Sequence, residues 1–190
     1  MDQGIYQEND EFTVNIALID RNTPVMGVIF VPVLRQLYFA AREFLGAYRM
    51  TLDTQADVNF SGDLHRRLAA RGGHIHSCRP GRRSVYVTIV GSRSHATAEL
   101  TACVCGKKRR KYGDLDFISA GSSLKLCRVA DGSADVYPRL GPTMEWDTAA
   151  GHIIAECAGA SVFRADNGQP LCYNKENLLN PWFFVSNGRH

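Results

Sequence analysis

Residues 141–160 read "GPTMEWDTAAGHIIAECAGA". An acidic residue, Asp147, stands beside the large aromatic Trp146 where an apolar helix begins. A carboxylate there has two uses. It caps the free N–H groups of the first turn, or it holds a cation against an anion drawn to that helix end.

The same rhythm of strand, turn and helix surrounds this stretch. "VYVTIVGS" (85–92) leads to "RSHATAELTACV", "LDFISAG" (115–121) to "SSLKLCRVADG", and "SADVYPRLGPTME" (133–145) to "WDTAAGHIIAECAG". "SVFRADNGQPL" (161–171) and "NPWFFVS" (180–186) close the chain as short strands. Such alternation predicts an α/β layered domain over residues 83–190.

The front end has a different period. In "EFTVNIALI" (11–19) Phe12, Val14, Ile16 and Leu18 alternate with Thr13, Asn15 and Ala17, the spacing of a strand. "DRNT" supplies a turn, and "PVMGVIFVPV" (24–33) follows as a second strand, opened by Pro24 and closed by Pro32. "LRQLYFAA" (34–41) makes a third, so residues 1–50 predict an antiparallel meander from an α+β domain. Residues 51–82 form a linker or variable segment, with a short helix expected in "SGDLHRRLAARGG" (61–73) and a loop in "HIHSCRPGRR" (74–83).

At 190 residues, with 45% hydrophobic and 22% charged residues, the composition is that of a soluble globular protein with a real core. The net charge of +3 is too small to call for an acidic partner. No apolar run approaches the roughly 20 residues of a membrane span, and "MDQGIYQEND" is unlike a signal peptide. A cytoplasmic location is expected, with peripheral attachment to the inner membrane as its variant. Cys127 and Cys157 lie in apolar helical patterns and read as buried thiols of a reducing compartment.

Three strand-to-helix turns carry small polar or ionisable residues: "GSRSH" (91–95), "AGSSLK" (120–125) and "EWDTAA" (145–150). Ligands of open α/β sheets settle at this edge, where helix N-termini favour anions. Gly121 lets the backbone approach a ligand; Ser92, Ser122 and Ser123 offer hydroxyls; His95 and Lys125 offer positive charge. Together they read as a cradle for a phosphorylated molecule. Singly, Ser94, Ser122 and Asp147 read as helix N-caps.

Other clusters carry less. "GKKRRK" (106–111) lacks interleaved aromatics and reads as a solvated loop, so no nucleic acid is expected as partner. His74, His76 and Cys78 alternate in a glycine- and arginine-rich stretch without a clear fourth ligand, and Cys103 with Cys105 form a lone CxC; zinc is disfavoured at both.

Together "EFTVNIALID…PVMGVIFVPV", "SRSH", "GSSLKLC", "YPRLGPTMEWDTAAGHIIAECAGA" and "LNPWFFVS" closely resemble the 3′(2′),5′-bisphosphate nucleotidases of CysQ type, a branch of the inositol monophosphatase-like Mg²⁺-dependent phosphatases. The resemblance runs from about residue 11 to residue 186 and is weakest over 51–82. It implies an αβαβα sandwich. It also implies a small-molecule nucleotide bisphosphate as substrate, with hydrolysis of adenosine 3′,5′-bisphosphate to AMP and phosphate. By resemblance Asp147 is a Mg²⁺ ligand that also faces substrate, and Ser92, His95, Gly121, Ser122, Lys125 and Arg139 are substrate contacts. An inositol monophosphate phosphatase is the related alternative, against which "GSSLK" and "YPR" speak.

The resemblance also brings an acidic D-P-[IL]-D-G-T stretch and a glutamate pair that this sequence does not carry. Counted back from "EFTVN", those aspartates fall before Met1. Catalytic residues are therefore expected upstream of Met1, and the chain is expected to be a carboxyl-terminal portion with impaired catalysis. A missing N-terminal portion or an oligomer partner is expected to cover the meander's apolar face. A non-catalytic nucleotide- or partner-binding remnant is the alternative from a different class.

Overall fold

The computed structural model describes residues 11–43, 46–52, 72–78, 87–91 and 115–188. The first sheet holds β1 (Val14–Asp20), β2 (Thr23–Val31), β3 (Gln36–Ala41), β4 (Ala47–Thr51) and β5 (Gly73–Ile75), each antiparallel to the next. β1 and β2 are joined by the two-residue turn Arg21–Asn22, and Arg21 takes a φ of 55°. The turn is tied down from far along the chain. Asn22 Nδ2 donates to the carbonyl of Tyr173 (2.7 Å), and Asn174 Nδ2 donates to that of Arg21 (2.7 Å).

The expected meander is present and goes on further than expected, because β4 and β5 continue it. Gly73–Ile75, which straddles the end of the expected helical stretch and the start of the expected loop, pairs with Ala47–Arg49 and is a strand. The helix expected over 61–73 falls almost wholly outside the described residues.

The second sheet has the order β7 (Leu115–Ser119), β6 (Val87–Gly91), β8 (Val136–Arg139), β10 (Phe183–Ser186) and β9 (Ser161–Arg164). β6 runs parallel to both β7 and β8, while β10 runs antiparallel to β8 and β9. A parallel neighbour requires a crossover, and β7 reaches β8 through α1 (Leu124–Ala130). β8 leads into α2 (Glu145–Cys157), the apolar helix of "WDTAAGHIIAEC".

The two helices lie between the sheets. α2 packs on β1, β2 and β3 from one side, and α1 touches α2, β6, β8 and β10. One core joins Ile29, Val31, Tyr38 and Ala47 of the first sheet to Leu124, Leu126, Ile154, Phe183 and Val185. The result is an α+β layered fold. Sheet and helix pack closely at Gly27, where a Cβ would stand 2.5 Å from both the Ala150 carbonyl oxygen and Ile153 Cγ2. Only glycine lets β2 lie against α2 there.

β1 is two-sided in an unusual sense. With the residues just ahead of it, it presents Phe12, Val14, Ile16 and Leu18 away from the helices, where they are exposed, and Thr13, Asn15 and Ala17 towards them. An uncovered apolar face on the meander was expected, and on β1 it is present. No helix among the described residues is long and apolar enough to cross a membrane. Cys127 is buried and Cys157 half-buried, both as free thiols.

Candidate phosphate-binding site

Two of the three polar turns meet at the carboxyl ends of β7 and β8. The turn after β7 carries Ser122 and Ser123 into α1; β8 ends on Arg139, and the chain then enters α2. Ser122, Ser123, Lys125, Arg139, Thr143, Asp147 and Thr148 line one cavity of about 280 Å³. Of these, Ser122, Ser123, Lys125 and Asp147 are expected from the polar turns themselves, and Arg139 from the resemblance alone. Ser92, Ser94, His95, Cys103, Cys105 and the basic run 106–111 lie outside the described residues.

Asp147 is not the N-cap of α2. Met144 holds that position with extended backbone, and Asp147 is three residues on, where its Oδ2 accepts the Met144 N–H at 2.9 Å. This is half of a capping box, with an aspartate in place of the usual glutamate or glutamine. Capping and pocket lining therefore coexist: one oxygen closes the first turn, and the residue still faces the serine- and lysine-bearing turn. The link is direct, since Ser123 Oγ donates to the Asp147 carbonyl at 2.8 Å.

Ser122 is not the N-cap of α1 either. Ser123 occupies that place and makes no side-chain cap bond. Ser122 sits in the left-handed region at φ 46°, a conformation that costs energy for a residue with a Cβ. Two bonds hold it there. Lys125 Nζ donates to the Ser122 carbonyl at 2.8 Å, and the Ser122 hydroxyl lies 2.7 Å from Thr13 Oγ1 of the first sheet.

Lys125 is buried, donates also to the Ala120 carbonyl at 3.2 Å, and stands 5.7 Å from the centre of the Tyr137 ring. Burial, reinforced by the nearby Arg139, pulls its ammonium down to about 8, against the opposing pull of Glu11 and Asp147. Arg139 Nη2 donates to the Pro142 carbonyl at 2.7 Å, while its buried Nε has no hydrogen-bond partner. A buried donor without an acceptor is costly, and an anion in the cavity is the kind of group that relieves it.

Gly121 also lets another part of the chain come close. A Cβ there would stand 2.9 Å from Glu11 Cβ, and its N–H donates to Glu11 Oε2 at 2.7 Å. What approaches Gly121 is the residue just ahead of β1, carrying a carboxylate of its own.

The first sheet also reaches the site through residues that the sequence did not mark. Asn15 Nδ2 donates to Ser123 Oγ at 2.8 Å, so Thr13 and Asn15 hold the 122–123 turn that in turn holds α2. On the other side, Asn180 Nδ2 donates to the Met144 carbonyl (2.9 Å) and to Thr148 Oγ1 (3.0 Å). Tyr173, bonded through its hydroxyl to the buried His152, completes that support. Thr148, next to Asp147 in "WDTAAG", was within reach of the sequence. The Thr13, Asn15 and Asn180 contacts were not.

Carboxylates are scarce in the cavity. Glu145 is committed to Lys175 and to the N–H groups of Asn174 and Lys175. Burial pushes its acid up, but those partners outweigh it and hold the carboxyl below its ordinary value. Among the described residues no three His, Cys, Asp or Glu side chains are grouped so as to hold a metal. His74 Nδ1 and His76 Nε2 lie 2.7 Å apart on the surface. For Mg²⁺, which binds one or two carboxylates plus waters and phosphate oxygens, Asp147 fits a single ligand position.

Residues 5–183 match the inositol monophosphatase family. The chain is 40% identical over 181 residues to the 3′(2′),5′-bisphosphate nucleotidase CysQ of Escherichia coli strain K12, covering 95% of this chain and 62% of that protein. It is 30% identical over 191 residues to the CysQ of Haemophilus influenzae, covering 96% of this chain and 60% of that one. The crystal structure of CysQ from Bacteroides thetaiotaomicron superposes with a TM-score of 0.82 at 45% identity, over 95% of this chain and 64% of that one. An inositol monophosphatase from Zymomonas mobilis shares the fold at a TM-score of 0.64 and 18% identity, over 94% of this chain and 58% of that one. The chain thus spans about three fifths of the length of these relatives, and it belongs to the inositol monophosphatase family.

Proposed function

We propose that this chain forms the nucleotide- and phosphate-holding part of a 3′(2′),5′-bisphosphate nucleotidase, which hydrolyses adenosine 3′,5′-bisphosphate to AMP and phosphate. The observation that carries this reading is the convergence of Ser122, Ser123, Lys125, Arg139 and Asp147 on one cavity. Two cations and two hydroxyls suit a phosphate's oxygens, and the unpaired Arg139 Nε is a donor in want of one. Ser92 and His95 are proposed to join the substrate contacts, as is Gly121.

Asp147 is proposed as a Mg²⁺ ligand. When bound, the ion would supply charge against the phosphoryl group and its leaving oxygen. Lys125 and Arg139 orient the phosphate, Ser123 keeps the first turn of α2 in place through the Asp147 carbonyl, and Asn180 holds the same turn from behind. Among the described residues no further carboxylate joins Asp147 in the cavity lining to prepare the attacking water. Binding without efficient turnover is therefore the behaviour proposed for the isolated chain, in a cytoplasmic setting.

That single carboxylate also favours a second reading, a non-catalytic nucleotide-binding protein. Phosphate release from adenosine 3′,5′-bisphosphate, measured with and without Mg²⁺ beside equilibrium binding of the same nucleotide, separates the two. Slow Mg²⁺-dependent release with measurable binding is expected. Binding with no release at any Mg²⁺ concentration would favour the second reading, and absence of both would overturn the proposal. An inositol monophosphate tested alongside is expected to be a poorer ligand.

A further inference from the structure

His152 is buried in the middle of α2, and both of its ring nitrogens are engaged. Nε2 lies 3.2 Å from Glu156 Oε1, one turn further along the helix, and Nδ1 lies 2.8 Å from the Tyr173 hydroxyl. The contacts go on at both ends. Glu156 Oε2 accepts from Arg42 Nη2, just past β3, at 3.0 Å. The Tyr173 hydroxyl lies 3.4 Å from Thr148 Oγ1, and Thr148 lines the phosphate cavity and accepts from Asn180 Nδ2. One chain of polar groups thus runs from the half-exposed Arg42 through the core to the first turn of α2.

The end groups fix where the hydrogens sit. The bond from His152, helped by the charge of Arg42, holds the Glu156 acid below its ordinary value against the push of burial, so Glu156 only accepts and Nε2 carries the hydrogen. Arg42 already neutralises that carboxylate, and a second cation at His152 would be buried with no counter-charge of its own. The imidazole is therefore neutral, and Nδ1 is a bare acceptor. Tyr173 has a single hydrogen to give, and the nearer Nδ1 takes it. Without the imidazole this buried hydroxyl would keep only its 3.4 Å contact. We propose that His152 is a positioning residue for the phosphate cavity: with its hydrogen held at Nε2 by Glu156, it orients the Tyr173 hydroxyl, and through it Thr148 and the turn that carries Asp147. The effect on ligand affinity rests on the nucleotide reading; the hydrogen-bond chain does not.

Long-range ¹H–¹⁵N NMR of the whole chain, labelled at histidine, reads the tautomer. A protonated Nε2 with a bare Nδ1 is expected at pH 7, and a proton on Nδ1 overturns the proposal. Variants read the consequence in AMP affinity and in the backbone amide shifts of Asp147 and Thr148. His152→Asn keeps an acceptor near the place of Nδ1, whereas His152→Gln keeps a polar group only near that of Nε2. Affinity should fall about three- to tenfold in His152→Gln, the worth of one buried hydrogen bond, and stay within about twofold in His152→Asn. Tyr173→Phe, which keeps the ring, should match the loss and add little on top of His152→Gln. Equal affinities in the two His152 variants, or losses that add, overturn the proposal. If the wild type binds no AMP, the nucleotide reading falls and the amide shifts decide. They should move in His152→Gln and Tyr173→Phe and stay in His152→Asn; any other pattern overturns the proposal.

Discussion

The two faces of β1 invert the usual relation between polarity and burial, and those of its neighbour β2 do not. The inner face of β1 presents Thr13, Asn15 and Ala17 and is packed; the outer face presents Phe12, Val14, Ile16 and Leu18 and is exposed. On β2 the inner face is apolar and closely fitted, with Gly27, Ile29 and Val31 buried. The difference lies in what each strand meets. β2 lies along the middle of α2, where volume and fit decide. β1 lies nearer the first turn of α2 and the 122–123 turn, where free polar groups need partners, and Thr13 and Asn15 supply them. Alternation in a sequence thus reports that two faces differ, without saying which one is covered.

The sharpest test of this contrast is volume removal. Ile154, fully buried in the core between the sheets, should cost about 2–5 kcal/mol as Ile154→Ala in urea unfolding. Gly27→Ala should cost about 1–3 kcal/mol by the opposite route, because the added methyl meets the α2 backbone, which cannot step aside. If Gly27→Ala left stability unchanged, the close seam between β2 and α2 would be wrong.

Lys125 sharpens the contrast by pH. Its folded ammonium titrates at about 8, below the ordinary 10.5, so between those values the unfolded chain holds more protons than the folded one. Stability should therefore gain a contribution as pH rises from about 8 towards 10.5, while phosphate binding weakens over the same range as the charge is lost. Lys125→Met should flatten both dependences. The smallest effect is expected on the outer face, where Ile16→Ala at low protein concentration should change stability by no more than about 0.5 kcal/mol. A loss as large as that of Ile154→Ala would show that the outer face is packed within the monomer.

Much of this was legible in the sequence because it rests on local pattern. The apolar period of "WDTAAGHIIAEC" is α2, and the alternation of "EFTVNIALI" is β1. β4 and β5 escaped because five and three residues are too few to establish a period, and Gly73 argues against a strand. Asp147 was expected at the N-cap because aspartate favours it; at the third helical position, with Met144 as cap, the same carboxylate satisfies the same backbone donor. Lys125 was legible as a member of the site, but its bonds to two carbonyls of its own turn were not. The contacts that hold the site together join residues 108 and 109 positions apart, a distance at which no local pattern operates.

The central claim is that the cavity between α1 and the first turn of α2 holds a nucleotide's phosphate. Calorimetric titration of the purified chain with AMP at pH 7, alone and as Lys125→Met, tests it most directly. Saturable binding is expected, weakened about tenfold or more in the variant through loss of a charge-assisted contact. Absence of heat and of any thermal stabilisation by AMP, or equal affinity in the two proteins, would contradict it.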